Sequence, residues 1–335
     1  MDGRTLTLNA VNNINISAGI NSTGTSLLHL VLSAGGSVTT TADIDTNGGN
    51  ITITAVGAVS LNTITTAGGS LTVDAGTTLA LTAAVSTGGG FVDLDALGAL
   101  TMTAAVTTGG GNFTATSGGL LTTNAITVGT GAITLVADEV DLAASASGIG
   151  GTLTIRGVTG GQDIILGAGS ETVGNLTDLD LTTSDLSNIL AGFTQITIGD
   201  AAASGTVSVV GVSNFADSLT IRSSTFSVGV GASLNTSDDI LTIFADSMTL
   251  SGNVNSGTAM TWIRPTTAGQ LIDLGGADAA GTLGISATDL TRLVTTGVLR
   301  IGDATAGNIT VTAAFAPAGT LGTLSLETGG SITDT

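Results

Sequence analysis

Two aspartates on one predicted strand, Asp93 and Asp95, are the most evident pair of residues that could do chemistry. They flank Leu94 in an alternating pattern, which places both carboxylates on the outward face of a strand. Carboxylate pairs act in glycosidases, and carboxylates also hold divalent cations. A glycosidase also needs sugar-stacking aromatic residues, and the chain has no tyrosine and only one tryptophan. We therefore expect a solvated acidic face here.

The single histidine and one glycine-rich segment are the other candidates for metal binding. His29 lies in an apolar run with no acid or second histidine close in sequence, so we expect a structural histidine on a strand. The segment 160–169 has a faint likeness to the glycine-rich nonapeptides that bind calcium. A later copy of this segment has Leu271 in place of Asp163, and no nonapeptides follow it. We predict no catalytic, cofactor-binding or metal-binding residue, and no cofactor.

The only tryptophan, Trp262, stands two residues before Arg264 at a position predicted to face outward. An exposed indole there would suit carbohydrate stacking, whereas a guanidinium lying on the ring would form a local cation–π contact. The second interpretation is the simpler one. Outward threonine pairs such as Thr52 and Thr54 raise ice binding as another option. Charged residues interrupt that array in three of six successive units, so we expect no regular ice-binding plane.

Composition excludes several classes of function. The chain has 335 residues, a formal net charge of -19, six arginines as its only Lys or Arg residues, and no cysteine. Nucleic-acid binding needs a basic face that displaces counterions, and six dispersed arginines cannot supply one. Binding to an anionic membrane surface also needs a basic face, so we expect none. No run approaches the ~18 apolar residues of a membrane span, so we expect no membrane insertion.

The elements that position these residues belong to a repeat of about twenty residues. Apolar residues recur in three columns. The first column is Ile51, Leu71, Val92, Phe113, Ile133 and Leu153, the second is Val59, Leu79, Leu100, Leu120 and Val140, and the third is Ile44, Ile64, Val85, Val106 and Ile126. Repeats of this period are typical of solenoids, whose units bury their apolar faces only by stacking on neighbours.

Within each unit the apolar residues alternate with polar ones, which is strand periodicity. Three short strands fit in one unit, and glycine pairs such as Gly68-Gly69 suit the corners because glycine tolerates positive φ. The pattern therefore predicts an all-β fold, a parallel β-helix with three short strands per ~20-residue coil. Parallel crossover connections are right-handed in about 98% of cases, so we expect a right-handed helix.

A second, longer repeat begins at residue 134. Residues 134–167 align without gaps to 242–275, an offset of 108, and a full second copy would end at residue 349. We interpret 1–133 as regular coils, 134–241 as the first long copy and 242–335 as a truncated second copy. The three parts would form one continuous solenoid, cut from a longer protein at both ends.

Each long copy contains a segment that breaks the strand period. Leu186, Ile189 and Leu190 have the i, i+3, i+4 spacing of a helix, and Leu290, Leu293 and Val294 repeat it. Ser, Thr and Asp precede each run, as a helix N-terminus prefers. We predict short helical insertions near 184–193 and 288–297. We favour insertions that pack on the solenoid and cover a turn. The alternative is that they protrude and bind a ligand or receptor.

These features resemble the repeat region of large bacterial adhesins of the filamentous haemagglutinin kind, the exoproteins of two-partner secretion. The likeness rests on the coils of the form Gly-Gly-Ser-Leu71-Thr-Val73 and on the module that runs from Ala245-Asp246 through Ile263-Arg264 to Ile301-Gly302-Asp303. The resemblance implies a right-handed β-helical stalk, export to the outside of a bacterium, and a location that is secreted or on the cell surface. It also implies that other parts of the full-length protein bind receptors or glycans on host or neighbouring cells.

We therefore predict a non-catalytic stalk or fibre segment of a secreted or surface-displayed adhesin. The alternative is a self-assembling surface-layer, sheath or filament subunit that stacks end to end, since open strand edges favour association. A polysaccharide-active enzyme is a distant third, because the sequence does not supply a cleft lined with acids and aromatic residues.

Overall fold

The protein is an all-β parallel β-solenoid, as the sequence predicts, in a computed structural model that describes residues 3–23, 26–169, 177–200, 202, 205–313 and 321–335. The chain divides into two compact units. Unit 1 comprises Met1–Val158, Gly174–Leu176 and Asn188–Thr194, and unit 2 comprises Thr159–Val173, Thr177–Ser187 and Gln195–Thr335. Within each unit, parallel ladders join a strand to its counterpart in a neighbouring coil.

In unit 1 three short strands make each regular coil. The strands are β1 (Arg4–Ala10), β2 (Ile14–Ile16), β3 (Ile20–Asn21), β4 (Leu28–Ala34), β5 (Val38–Thr40), β6 (Ile44–Asp45), β7 (Ile51–Ala55), β8 (Val59–Leu61), β9 (Ile64–Thr65), β10 (Leu71–Ala75), β11 (Leu79–Leu81), β12 (Val85–Ser86), β13 (Val92–Ala96), β14 (Leu100–Met102), β15 (Val106–Thr107), β16 (Phe113–Thr123), β17 (Ile126–Thr127), β18 (Ile133–Leu142), β19 (Ala146–Ser147) and β20 (Thr152–Arg156).

The predicted apolar columns form the core of unit 1. Ile51 pairs in register with Leu71, which pairs with Val92, and all three side chains are buried. Leu100 in the second column is fully buried, as predicted. Stacked side chains of this kind leave water at roughly 25 cal/mol per Å² of apolar surface, so neighbouring coils stabilise each other along every column.

A row of buried threonines closes one corner of these coils. Thr46, Thr66, Thr87 and Thr108 have no exposed surface. Each hydroxyl donates to a glycine carbonyl three residues later, as Thr46 does to Gly49 at 2.5 Å. The backbone turns between the two residues with positive φ, for example 119° at Gly68, a value that only glycine adopts without strain. The buried threonine hydroxyl thereby has a hydrogen-bond partner within its own corner, and the backbone turns there into the next strand.

The second column departs from the prediction in one coil. Leu120 is wrong there: Leu100 pairs with Leu121, which is fully buried, and Leu120 is only half-buried. The reason is the spacing: Ala96 pairs with Ser117 and Leu100 with Leu121, so β16 keeps one register with the preceding coil and the predicted column is one residue too early. The corner that differs is the next one, in β18, which has one residue fewer than β16: Ser117 pairs with Ala137, but Leu120 pairs with Glu139. Because side chains alternate with a period of two, a column placed one residue off falls on the other face of the strand.

Unit 2 has longer and less regular coils. Its strands are β21 (Asp163–Ala168), β22 (Asp178–Thr182), β23 (Gln195–Gly199), β24 (Thr206–Val209), β25 (Val212–Asn214), β26 (Leu219–Arg222), β27 (Thr225–Val228), β28 (Ser233–Asn235), β29 (Leu241–Phe244), β30 (Ser247–Leu250), β31 (Asn253–Gly257), β32 (Thr261–Arg264), β33 (Leu271–Gly275), β34 (Thr282–Ser286), β35 (Leu293–Thr295), β36 (Val298–Asp303), β37 (Ile309–Val311), β38 (Thr323–Thr328) and β39 (Ile332–Asp334).

The two long copies have the same local arrangement of strands. In the first, β21 pairs with the next strand, β22, and in the second, β33 pairs with the next strand, β34. A short helix comes after each pair. The helices are α1 (Thr183–Asn188) and α2 (Ala287–Arg292). In α2 the Ser286 hydroxyl accepts from the Asp289 N–H at 3.1 Å while the Asp289 carboxylate accepts from the Ser286 N–H, which is a capping box.

The helices are present where predicted, but the predicted extents to 193 and 297 are wrong. Each has only six residues. Leu293 lies in β35 and pairs with Val254, and Ile189 forms a bridge to Ala146. A neighbouring strand satisfies the backbone at these positions, and this outweighs the weak local preference for a helix.

Candidate functional site

The predicted acid pair lies where expected, on the outward face of β13. Asp93 pairs in register with Thr72 and Thr114, and Asp95 with Asp74 and Thr116. We call Asp74, Asp93 and Asp95 the aspartate row. Partial burial and then the charge of Asp95 raise the pKa of Asp93. The ladder partners of these carboxylates are therefore threonine hydroxyls and a further carboxylate.

His29 has a structural contact, as predicted for a histidine on a strand. Its Nδ1 accepts a hydrogen bond from the Asn50 N–H at 3.1 Å, which joins β4 to the turn before β7. The ring is thus engaged with the backbone of the next coil.

The glycine-rich segment after β20 contributes one acid. The Asp163 carboxylate accepts from the Thr206 N–H at 2.6 Å and so ties β21 to the start of β24. Among the residues that the structure describes, no group of three or more His, Cys, Asp or Glu side chains is placed to hold a metal ion. Asp163 therefore has an evident role in connecting two strands of unit 2.

A cluster of arginines and aromatic rings is the most distinctive arrangement of side chains in unit 2. Trp262 lies on β32 with the Arg264 guanidinium 4.6 Å from its ring centre and the Arg300 guanidinium 4.4 Å from it. Its indole N–H donates to the Gly302 carbonyl at 2.8 Å. The predicted cation–π contact between Trp262 and Arg264 is confirmed. With guanidiniums over the ring and its N–H bonded, the indole is not a free platform for a sugar.

Sequence reasoning missed the second half of this cluster. Phe244 pairs in register with Arg222 on one side and with Arg264 on the other. The two guanidiniums lie 4.2 and 4.6 Å from the phenyl ring centre, so charge, ring and charge alternate across three coils. The signal in the sequence was the spacing: Arg222, Phe244 and Arg264 follow one another by about one coil length.

Two acids complete the cluster. Arg264 forms an ion pair with Asp303, and Arg300 forms one with Glu327 on β38. Burial alone would raise the pKa of Asp303. The pKa of Asp303 is nevertheless lowered, because its carboxylate accepts hydrogen bonds from the Thr305 hydroxyl and N–H, lies beside the charge of Arg264, and accepts a further hydrogen bond from the Ala306 N–H. Asp303 is therefore held as a carboxylate.

We name Arg222, Phe244, Trp262, Arg264 and Arg300 the arginine–aromatic row. With its two acids it joins side chains from five strands that follow one another in the ladder, β26, β29, β32, β36 and β38. Each cation–π contact contributes about 0.5–2 kcal/mol, and a partly exposed ion pair contributes less than about 1 kcal/mol. The arrangement therefore links the outward faces of successive coils in unit 2.

The chain matches no protein-family model, no curated protein and no solved structure. In the described part of the chain, no helix has the length and apolar character that a membrane crossing requires.

Proposed function

We propose that this chain is a structural stalk segment, the repeat region of a secreted or surface-displayed bacterial adhesin that holds other parts of the full-length protein away from the cell. Its work is mechanical, and receptor or glycan binding by the full-length protein belongs to those other parts. The β-solenoid itself is the fold of a structural repeat protein.

One observation carries the proposal: the coils of unit 1 repeat the same register without interruption from β4 to β16. In the first column, Leu30, Ile51, Leu71, Val92 and Phe113 follow one another as direct ladder partners, and all five are buried. A parallel ladder of this kind satisfies the backbone of each coil with that of the next. Such a segment can be lengthened by whole coils without a new core, as a spacer requires.

The test is removal of one whole coil. Deleting Leu71–Phe91 removes 21 residues and brings Val92 to the place of Leu71, its ladder partner. In single-molecule pulling experiments we expect the deletion to shorten the released chain by roughly 70 Å, at about 3.4 Å per residue, while the remaining coils unfold at the parent's force. The control deletion, residues 71–80, removes half a coil and should abolish the fold.

A fall in unfolding force for the remaining coils, or failure of the whole-coil variant to fold, would contradict a modular spacer. Sizing at several concentrations separates the alternative role. A self-assembling surface-layer, sheath or filament subunit grows in size as concentration rises, whereas a stalk segment keeps one size.

A further inference from the structure

Unit 2 contains a polar pocket next to the end of helix α2. The pocket has a volume of about 250 Å³, and its lining residues are Gly231, Ala232, Ser233, Ser251, Gly252, Asn253 and Arg292. We call it the Arg292 pocket. Pockets for drug-sized ligands have volumes of ~300–1,000 Å³, so this smaller pocket suits a ligand with a single small ring.

The ladder explains why these polar side chains meet. Ser233 and Asn253 are direct partners on β28 and β31, and Val254 pairs with Leu293. Arg292 is the last residue of α2 and immediately precedes Leu293, so it enters the pocket beside the Ser233–Asn253 pair. The register of the solenoid thus places a hydroxyl, an amide and a guanidinium side by side.

Arg292 lies outside the arginine–aromatic row, and its side chain is half-buried. Like the Nε atom of Arg264, its Nε atom is buried without a hydrogen-bond partner in the described part of the chain. The nearest acid on its own helix, Asp289, is already engaged by the Leu250 N–H at 2.7 Å and by Ser286. A buried N–H without a partner is unfavourable, so the guanidinium favours a ligand that accepts hydrogen bonds.

We propose that the Arg292 pocket binds a sugar acid, with the carboxylate of a uronic acid on the guanidinium of Arg292 and the sugar hydroxyls on Asn253 and Ser251. A guanidinium presents two parallel N–H groups that match the two oxygens of a carboxylate. Both Asn253 and Ser251 are exposed at the pocket, and an amide and a hydroxyl each donate to and accept from sugar hydroxyls. This site is independent of the stalk role.

The experiment follows the arginine Nε–H signals of the whole chain by nitrogen-15 NMR during titration with glucuronate. Glucose, which has the same ring without the carboxylate, and acetate, which has the carboxylate without the ring, are the matched probes. We expect one arginine signal to shift in a saturable manner with glucuronate, with a Kd on the order of 1 mM, and acetate to bind about tenfold more weakly. Glucose should give no saturable shift.

Variants assign the effect. Arg292→Gln should abolish glucuronate binding, and Arg292→Lys, which keeps the charge but loses the paired N–H groups, should weaken it about tenfold. Arg4→Gln removes an exposed arginine of unit 1 and should bind as the parent does. Circular dichroism of each variant checks that it folds.

Three results would overturn the proposal: no saturable shift of any arginine signal, equal binding of glucose and glucuronate, or parental binding by Arg292→Gln. Equal affinity for acetate and glucuronate would overturn the sugar part, since the pocket would then recognise the carboxylate alone.

Discussion

The aspartate row of unit 1 and the arginine–aromatic row of unit 2 occupy the same kind of position, the outward face of the strands whose inward side chains form the first apolar column. In unit 1, Asp95 stacks on Asp74 and like charges meet. In unit 2, Phe244 lies between Arg222 and Arg264, and both guanidiniums make favourable cation–π contacts with its ring. The inward partners are alike in both units: Leu94 and Ile243 are both fully buried.

The difference shows that the inward and the outward side chains of a strand contribute to stability in different ways. The inward face specifies the fold, so its residue types hardly change from coil to coil. The outward residue types vary more freely. Because the ladder keeps neighbouring coils in register, outward side chains of successive coils lie about 4.8 Å apart and form a row. A row of like charges opposes stacking, and a row of guanidiniums and rings reinforces it.

The largest effect is expected on the inward face. Leu100→Asp would bury a charge without a partner and should lower the free energy of unfolding by several kcal/mol. Thr101→Asp, one residue along on the outward side, should change it by about 0.5 kcal/mol or less. Thermal melting of both variants measures the contrast. Similar melting temperatures for Leu100→Asp and the parent would show that the column assignment is wrong.

The second prediction concerns the coil of β16, where the second column continues at Leu121. Leu121→Ala should cost about 2–5 kcal/mol, because it leaves a cavity in the second column. The adjacent Leu120→Ala removes a half-buried side chain and should cost less than about 1 kcal/mol. Urea denaturation of the two variants compares them directly, and a larger loss for Leu120→Ala would favour a column that passes through Leu120.

This pair of leucines also shows how far the sequence could be read. The columns and the parallel β-solenoid were predictable, because period-two alternation and a twenty-residue repeat are properties of the chain itself. The inward choice between Leu120 and Leu121 was not predictable, because both are apolar and the corner becomes one residue shorter between β16 and β18.

The arginine–aromatic row was predictable only in part. Trp262 and Arg264 are two residues apart on one strand, so their contact followed from local geometry. The sandwich of Phe244 depends on register across three coils whose lengths differ, 22 residues from Arg222 to Phe244 and 20 from Phe244 to Arg264. Unequal coil lengths hide such a row until the ladder partners are known.

The third prediction tests whether the arginine–aromatic row holds unit 2 together. Arg264→Gln removes one guanidinium from Phe244, Trp262 and Asp303 together, and we expect a loss of about 1–3 kcal/mol in urea denaturation. Arg4→Gln is the control, because Arg4 is an exposed arginine of unit 1 and lies outside the row. A loss as large for the control would mean that the effect is not specific to the row.

The smallest effect is expected at Asp93, and its sign is the reverse of that at Asp303. The pKa of Asp93 is raised in the folded chain, so the stability that this group contributes is present below about pH 3.9 and is lost as pH rises through the raised pKa. Asp93→Asn copies the neutral form. It should stabilise the chain at neutral pH by only about 0.2–0.5 kcal/mol, because solvent screens the charge, and the gain should disappear in acid.

Asp303 has a lowered pKa, so the stability that it contributes is present at neutral pH and is lost as pH falls below about 3.9. Asp303→Asn should therefore destabilise the chain at neutral pH, and its difference from the parent should close in acid. Melting temperatures of the two variants and the parent from pH 3 to 7 measure both trends. Destabilisation by Asp93→Asn at neutral pH would mean that the aspartate row is held by a favourable contact, such as a bound cation. Repeating the melts with excess chelator and with added calcium would then identify that contact, whereas a calcium-independent result agrees with an outward row of carboxylates that repel one another.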